Sequence, residues 1–134
     1  MADALAGRLN AALARLIGRP VEPADRFALA VSGGADSMAM LGLMARRWPG
    51  QIAAATVDHG LREAAREEAC MVGRWCAEHQ VPHRILMADL SAGGNVQAAA
   101  RAARYALLER WRADQGLHWL LTAHQADDQV ETLL

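Results

Sequence analysis

The chain contains no lysine: all 14 of its basic residues are arginine. That excludes the phosphate loop whose lysine reaches the β- and γ-phosphates, and every mechanism that builds a Schiff base on an enzyme lysine. Aromatic residues make up only 4% of the 134 positions, so any core must rest on aliphatics and alanine. There are two cysteines, Cys70 and Cys76. Their spacing fits neither a CxxC redox pair nor a zinc knuckle, and two are too few for a disulfide framework, so they read as reduced thiols. No apolar run approaches the roughly 18 residues that a membrane span requires. The opening MADALAGRLNAALARLIG is amphipathic, carries Asp3, and lacks the apolar core and cleavage site of a secretory signal. A cytoplasmic protein with no membrane partner is expected. The 14 bases stand against 15 acids, a net charge of -1, so the totals show no field that would gather a polyanion.

What is present is a folding composition, 53% hydrophobic and 22% charged, with an apolar pattern that keeps changing period. Leu5, Leu9, Leu13, Leu16 and Ile17 recur at helical spacing until Gly18 and Pro20. RFALAV, residues 26 to 31, is a continuous apolar run, as expected of a strand buried on both faces. A helix is predicted over 36 to 47, a strand over 52 to 57 and a helix over 63 to 79. Val81-Pro82 opens a third strand through about Met87, and Asn95 is a candidate N-cap for a helix reaching Asp114. Gly116 follows where a left-handed C-cap is favoured, His118 to Thr122 make a fourth strand, and Asp127 starts another helix. Short apolar strands alternating with helices predict a three-layer α/β/α fold with a mainly parallel sheet.

Ligands of such sheets bind beyond the carboxyl ends of the strands, so polar residues there are the candidates. After the first strand comes Ser32-Gly33-Gly34-Ala35-Asp36-Ser37. Two glycines let backbone N–H groups approach a ligand, and the following helix N-terminus favours an anion. Ser32 and Ser37 have hydroxyls for phosphate oxygens, whereas Asp36 would repel a bare phosphate and so suggests a bridging Mg²⁺. The second strand ends in Val57-Asp58-His59-Gly60-Leu61-Arg62, which could line a nucleotide pocket or be a solvated loop. The fourth ends in Thr122-Ala123-His124, followed by Asp127, Asp128 and Glu131. Asp127 and Glu131, four apart, share a helical face and could flank one metal or reacting group. Arg101 and Arg104, beside Tyr105, could reach a phosphate or an RNA backbone, or be a solvated face.

These blocks resemble a known family. SGGADS (32–37) is similar to the pyrophosphatase loop of the N-type ATP pyrophosphatases, which include GMP, asparagine and NAD synthetases and several tRNA-modifying enzymes. Together with VDHGLR (57–62), NVQAAARAARYALL (95–108) and LTAHQADDQVETLL (121–134), it resembles the tRNA(Ile)-lysidine synthase family in order and spacing. A relative that thiolates tRNA cytidine uses CxxC cysteines, which are absent here.

The resemblance implies the adenine nucleotide alpha hydrolase-like (PP-loop) fold, with ATP and Mg²⁺ as cofactors. It implies adenylylation of C2 of the wobble cytidine in tRNA(Ile) with a CAU anticodon, and displacement of AMP by free L-lysine. By the same resemblance Ser32, Gly33, Gly34 and Ser37 hold the pyrophosphate, Ala35 and Asp36 complete the ATP-binding loop, and Val57, Asp58 and His59 hold the adenosine. Asp36 and Asp127 are the metal candidates. Asp36, Arg104, His124, Asp127, Asp128 and Glu131 are the catalytic candidates.

The family's chains are longer, and the last predicted helix stops uncapped at Leu134. Residues 1–134 therefore read as a PP-loop domain incomplete at its C-terminus, without the tRNA-binding domains. Such a fragment is expected to be inactive alone and prone to self-association through an unpaired sheet edge. The alternatives are a non-catalytic adenine-nucleotide-binding module, or another N-type ATP pyrophosphatase such as a tRNA-thiolating enzyme.

Overall fold

A computed structural model describes residues 2–60, 63–88 and 96–123. The elements in order are α1 (Ala2–Ile17), β1 (Phe27–Ala30), α2 (Ala35–Arg47), β2 (Ile52–Asp58), α3 (Glu63–Glu78), β3 (His83–Met87), α4 (Val96–Asp114) and β4 (Trp119–Thr122). The four strands form one sheet in the order β3-β2-β1-β4, and every pairing is parallel. The glycines expected to stop helices do so: Gly18 and Gly116 have φ of 81° and 68°, a left-handed conformation that costs a residue without Cβ little.

The layering follows from strand order and handedness. From β1 the chain steps to β2 and on to β3 in one direction, so right-handed crossovers put α2 and α3 on the same face. It then returns past β2 and β1 to β4, which sends α4 to the opposite face. The two cores match this. On one side Leu9 and Leu13 of α1, Met40, Leu41 and Met44 of α2, and Val72 and Cys76 of α3 bury Phe27, Leu29, Ile52 and Ala54. On the other, Leu108 and Trp111 of α4, with Leu117, close over Ala28 and Ala55. No helix among the described residues is long and apolar enough to cross a membrane.

The amino-terminal end of the sheet is locked by a group that the sequence did not reveal. Asp25, 3% exposed, accepts 2.8 Å hydrogen bonds from both Nη1 and Nη2 of Arg19, and a third from the Glu22 N–H. The Arg19 guanidinium holds this carboxyl down at about 2. It also lies 5.8 Å from the Trp119 ring centroid, and Trp119 stacks on Phe27 at 5.4 Å. The linker from α1 is thereby tied to β1 and to the edge strand β4, at the end of the sheet opposite the predicted site.

Candidate functional site

β1 is the strand at which the chain's direction of travel reverses, since β2 and β4 lie on either side of it. A crevice is expected at such a switch point, beyond the carboxyl ends. Ala30 pairs with both Ala55 and Thr122, so β1 and β4 end level there while β2 runs on to Asp58. A cavity of about 240 Å³ opens over them. Its floor is Ala30, Val31, Ala55 and Val57, and its walls include Ser32, His59, Glu68, Arg104, Tyr105 and Thr122.

The loop leaving β1 is organised by one hydroxyl. Ser37 Oγ, on a residue 2% exposed, accepts the N–H groups of Ser32 and Gly33, each at 3.1 Å, and donates to the Gly34 carbonyl at 3.1 Å. It also shares a 3.1 Å hydrogen bond with Ser32 Oγ, which accepts the Gly34 N–H at 3.2 Å. Gly33 takes φ of 95°, and a Cβ there would lie 3.2 Å from Glu68 Cβ of α3. Glycine is thus required both by backbone conformation and by the close approach of α3. Gly34 is the N-cap of α2 and makes no side-chain cap bond, so the first N–H groups of the helix face outward without an internal acceptor. Asp36 sits in that first turn and is exposed.

The model of the PP-loop domain family matches residues 5–134. This chain belongs to the PP-loop domain family. Among curated relatives, the tRNA(Ile)-lysidine synthase of Zymomonas mobilis is 43% identical over 126 residues, covering 93% of this chain and 37% of that protein. That of Novosphingobium aromaticivorans is 46% identical over 114 residues, covering 85% and 35%. The chain therefore spans little more than a third of the length of these relatives. Two solved structures share the fold. The U34-tRNA thiolase NcsA from Methanococcus maripaludis superposes with a TM-score of 0.74 at 18% identity, over 94% of this chain and 48% of that one. The ammonia-dependent NAD synthetase from Campylobacter jejuni gives 0.66 at 17%, over 95% and 58%.

Within the PP-loop domain the expected site residues fall into three groups. Ser32, Val57, His59 and Arg104 line the cavity, and Gly33, Gly34, Ala35 and Asp36 form the loop and helix start beside it. Two side chains take a different part from the one their position suggested. The Ser37 hydroxyl, expected to serve phosphate, is held inside the loop by the bonds above. Asp58, expected with the adenosine contacts, is 2% exposed and does not line the cavity. Its Oδ1 accepts the Gly60 N–H at 2.9 Å, and Arg66 approaches Oδ2 at 3.8 Å. It shapes the turn after β2, where Gly60 has φ of 72°. Arg62, Asn95, His124, Asp127, Asp128 and Glu131 lie outside the described residues.

The structure adds Glu68 and Tyr105 to the cavity wall. A carboxylate at the sixth position of α3 gave no sequence signal, because only the close approach at Gly33 brings it to the loop. His59 contributes the one buried side-chain polar atom among the described residues that lacks a hydrogen-bond partner, Nδ1. No three His, Cys, Asp or Glu side chains among the described residues come together as a metal cage. The donor set nevertheless fits Mg²⁺, which takes one or two carboxylates and completes its shell with water and phosphate oxygens. Asp36, exposed beside an anion-favouring helix start, is the residue placed to supply such a carboxylate. The cysteines fit no chemistry here: both are free, and burial pushes the Cys76 thiol up to about 11, away from nucleophilic character.

Proposed function

We propose that this chain is the nucleotide-activating part of a tRNA(Ile)-lysidine synthase. The observation that carries the reading is the Ser32–Ser37 loop, closed on itself by Ser37 and open toward a cavity at the switch point of a parallel sheet. The resemblance of four sequence blocks and the similarity to two tRNA(Ile)-lysidine synthases, 43% and 46% identical, support the choice of reaction.

In this reading the N–H groups at the start of α2, held in place by the closed loop before them, receive the pyrophosphate of ATP. Asp36 would hold Mg²⁺, which when bound neutralises charge on the transferred and leaving phosphates. Val57 and His59 line the part of the cavity assigned to adenosine, and Arg104 faces the phosphates from α4. The cytidine C2 oxygen of a CAU anticodon attacks the α-phosphate, and pyrophosphate leaves. The amine of free lysine then attacks C2, and AMP leaves with the bonding pair and the former C2 oxygen. The oxygen nucleophile is weak, so the rate rests on positioning and on charge stabilisation rather than on covalent catalysis by the chain. The lysine-free composition of this chain suits this chemistry, since in this reading backbone N–H groups, arginine and a cation handle the phosphates. His124, Asp127, Asp128 and Glu131 are assigned together to handling of the metal, the cytidine and the lysine.

Titration calorimetry with ATP and Mg²⁺ tests the reading directly. The chain should bind ATP, and Asp36→Ala should weaken binding roughly tenfold or more while the fold is kept, because a charged contact to the cation is lost. The absence of ATP binding by the unmodified chain, or unchanged affinity in Asp36→Ala, refutes the respective assignment. Residues 1–134 alone should not incorporate labelled lysine into a CAU-anticodon tRNA, and turnover by this chain would refute the expectation that it is inactive by itself.

A further inference from the structure

The geometry points to Tyr105 as a positioning residue that holds Arg104 at the cavity, acting through its ring face rather than through its hydroxyl. The inference rests on the reading of that cavity as a nucleotide site. Tyr105 lies on α4 with Arg101 one turn before it and Arg104 directly before it. The Arg101 guanidinium carbon is 5.5 Å from the ring centroid and that of Arg104 is 5.7 Å. Both distances are within the reach of cation–π attraction. Arg104 and Tyr105 both line the cavity, whereas Arg101 is exposed.

Two further features make the arrangement directional. Leu108, 2% exposed, anchors this face of the helix in the core against Ala28 and Ala55, so the ring stands on a fixed base. The arginine ion pairs among the described residues belong to Arg19, Arg66 and Arg112, so within them no carboxylate neutralises Arg104. A guanidinium with a flexible stem and no such partner would sample many rotamers. The ring attracts the guanidinium without neutralising its positive charge, which can then meet an anion in the cavity.

The test uses this chain with three substitutions, each checked for folding by urea denaturation. Binding of ATP and of adenosine is measured by calorimetry in Mg²⁺. Tyr105→Leu should weaken ATP binding roughly three- to tenfold and leave adenosine binding within about twofold. Tyr105→Phe, which keeps the ring, should restore ATP affinity to within about twofold. In an Arg104→Gln background, Tyr105→Leu should cost little more, because the two residues act through one contact. Equal losses in the Phe and Leu variants would overturn the inference by pointing to the hydroxyl. Equal losses for ATP and adenosine would overturn it by pointing to ring–ligand packing, as would additive losses in the double substitution. If the unmodified chain binds no ATP, the reading of the cavity falls, and this inference with it. If it binds ATP and Tyr105→Leu changes nothing, this inference alone falls.

Discussion

Removing one hydroxyl, in Ser37→Ala, should loosen the loop on which the whole site depends. In the structure that oxygen accepts two N–H groups, from Ser32 and Gly33, and donates to the Gly34 carbonyl. Alanine leaves these groups without their partner, and nothing else in the loop is placed to replace it. A typical intramolecular hydrogen bond contributes about 0.5–1.5 kcal/mol net, and a buried donor stranded without an acceptor costs about 1–3 kcal/mol. Ser32 and Gly34 are exposed, so water would satisfy part of the deficit. The expected destabilisation is therefore about 1.5–3 kcal/mol, below the sum of the separate terms. In urea, with a slope of about 1–3 kcal/mol per molar, the unfolding midpoint should fall by about 1 M. ATP affinity should fall as well, since a loosened loop no longer fixes the start of α2, whose free N–H groups face the phosphates in the proposed reading. Ser32→Ala is the control: it also alters the loop, but Ser32 Oγ accepts only the Gly34 N–H and shares one bond with Ser37, so its effect should be about half as large. A Ser37→Ala midpoint within about 0.2 M of the unmodified chain would refute the claim that this hydroxyl organises the loop.

Two other perturbations test the scaffold around the site. Gly33→Ala should destabilise by about 1–3 kcal/mol, from the φ of 95° and the 3.2 Å approach to Glu68 Cβ, with a matching drop in urea midpoint; an unchanged midpoint would show that α3 yields freely there. The Arg19–Asp25 pair should give stability that is fully present above the ordinary carboxylate value of 3.8 and is lost as pH falls toward about 2, because the folded value is depressed. With Arg19 41% exposed and screened by solvent, about 1–2 kcal/mol should disappear over that window, and Asp25→Asn should flatten the stability profile between pH 5 and about 2. An identical acid profile in Asp25→Asn would remove the pair from the account.

Much of the scaffold could be read from apolar periodicity. The strand predicted over 52 to 57 is observed over Ile52–Asp58, and the helix predicted from 36 to 47 over Ala35–Arg47. The parallel sheet followed from alternation, and the position of the phosphate loop from two glycines between a strand and a helix. What periodicity could not supply was strand order, and with it the identity of the residues that meet across elements. Glu68 reaches the loop only because β2 and α3 fold back beside Gly33. Arg19 and Asp25 meet only because the linker after α1 doubles back under β1. Ser37 and Asp58 were visible as polar residues near a strand end, but their directions were not. One points into its own loop and the other into a turn, because each has a nearby N–H to satisfy.

The scarcity of aromatic residues has a structural counterpart in how the two faces of the sheet are filled. On the α1–α3 face, β1 and β2 present Phe27, Leu29, Val31 and Ile52, and the space to the helices is closed by methionine, leucine and tryptophan. On the α4 face the same strands present Ala28, Ala30, Ala53 and Ala55, ahead of Val57. Alanine fills little of the gap that an overlying helix leaves, and Leu108 and Trp111 from the carboxy-terminal half of α4, with Leu117 after it, close part of that gap. Toward the strand ends the gap stays open, bounded by Arg104 and Tyr105 instead of by further core residues. The alternation within β1 and β2 thus sets a packed layer against a hollow one. An interior near crystal density does not leave such a space by accident of packing. The run of small residues on one side of two neighbouring strands is therefore as much a part of the candidate site as the glycines of the loop. It sets the volume into which a nucleotide would enter, while the densely filled face behind holds the loop and the strand ends in register.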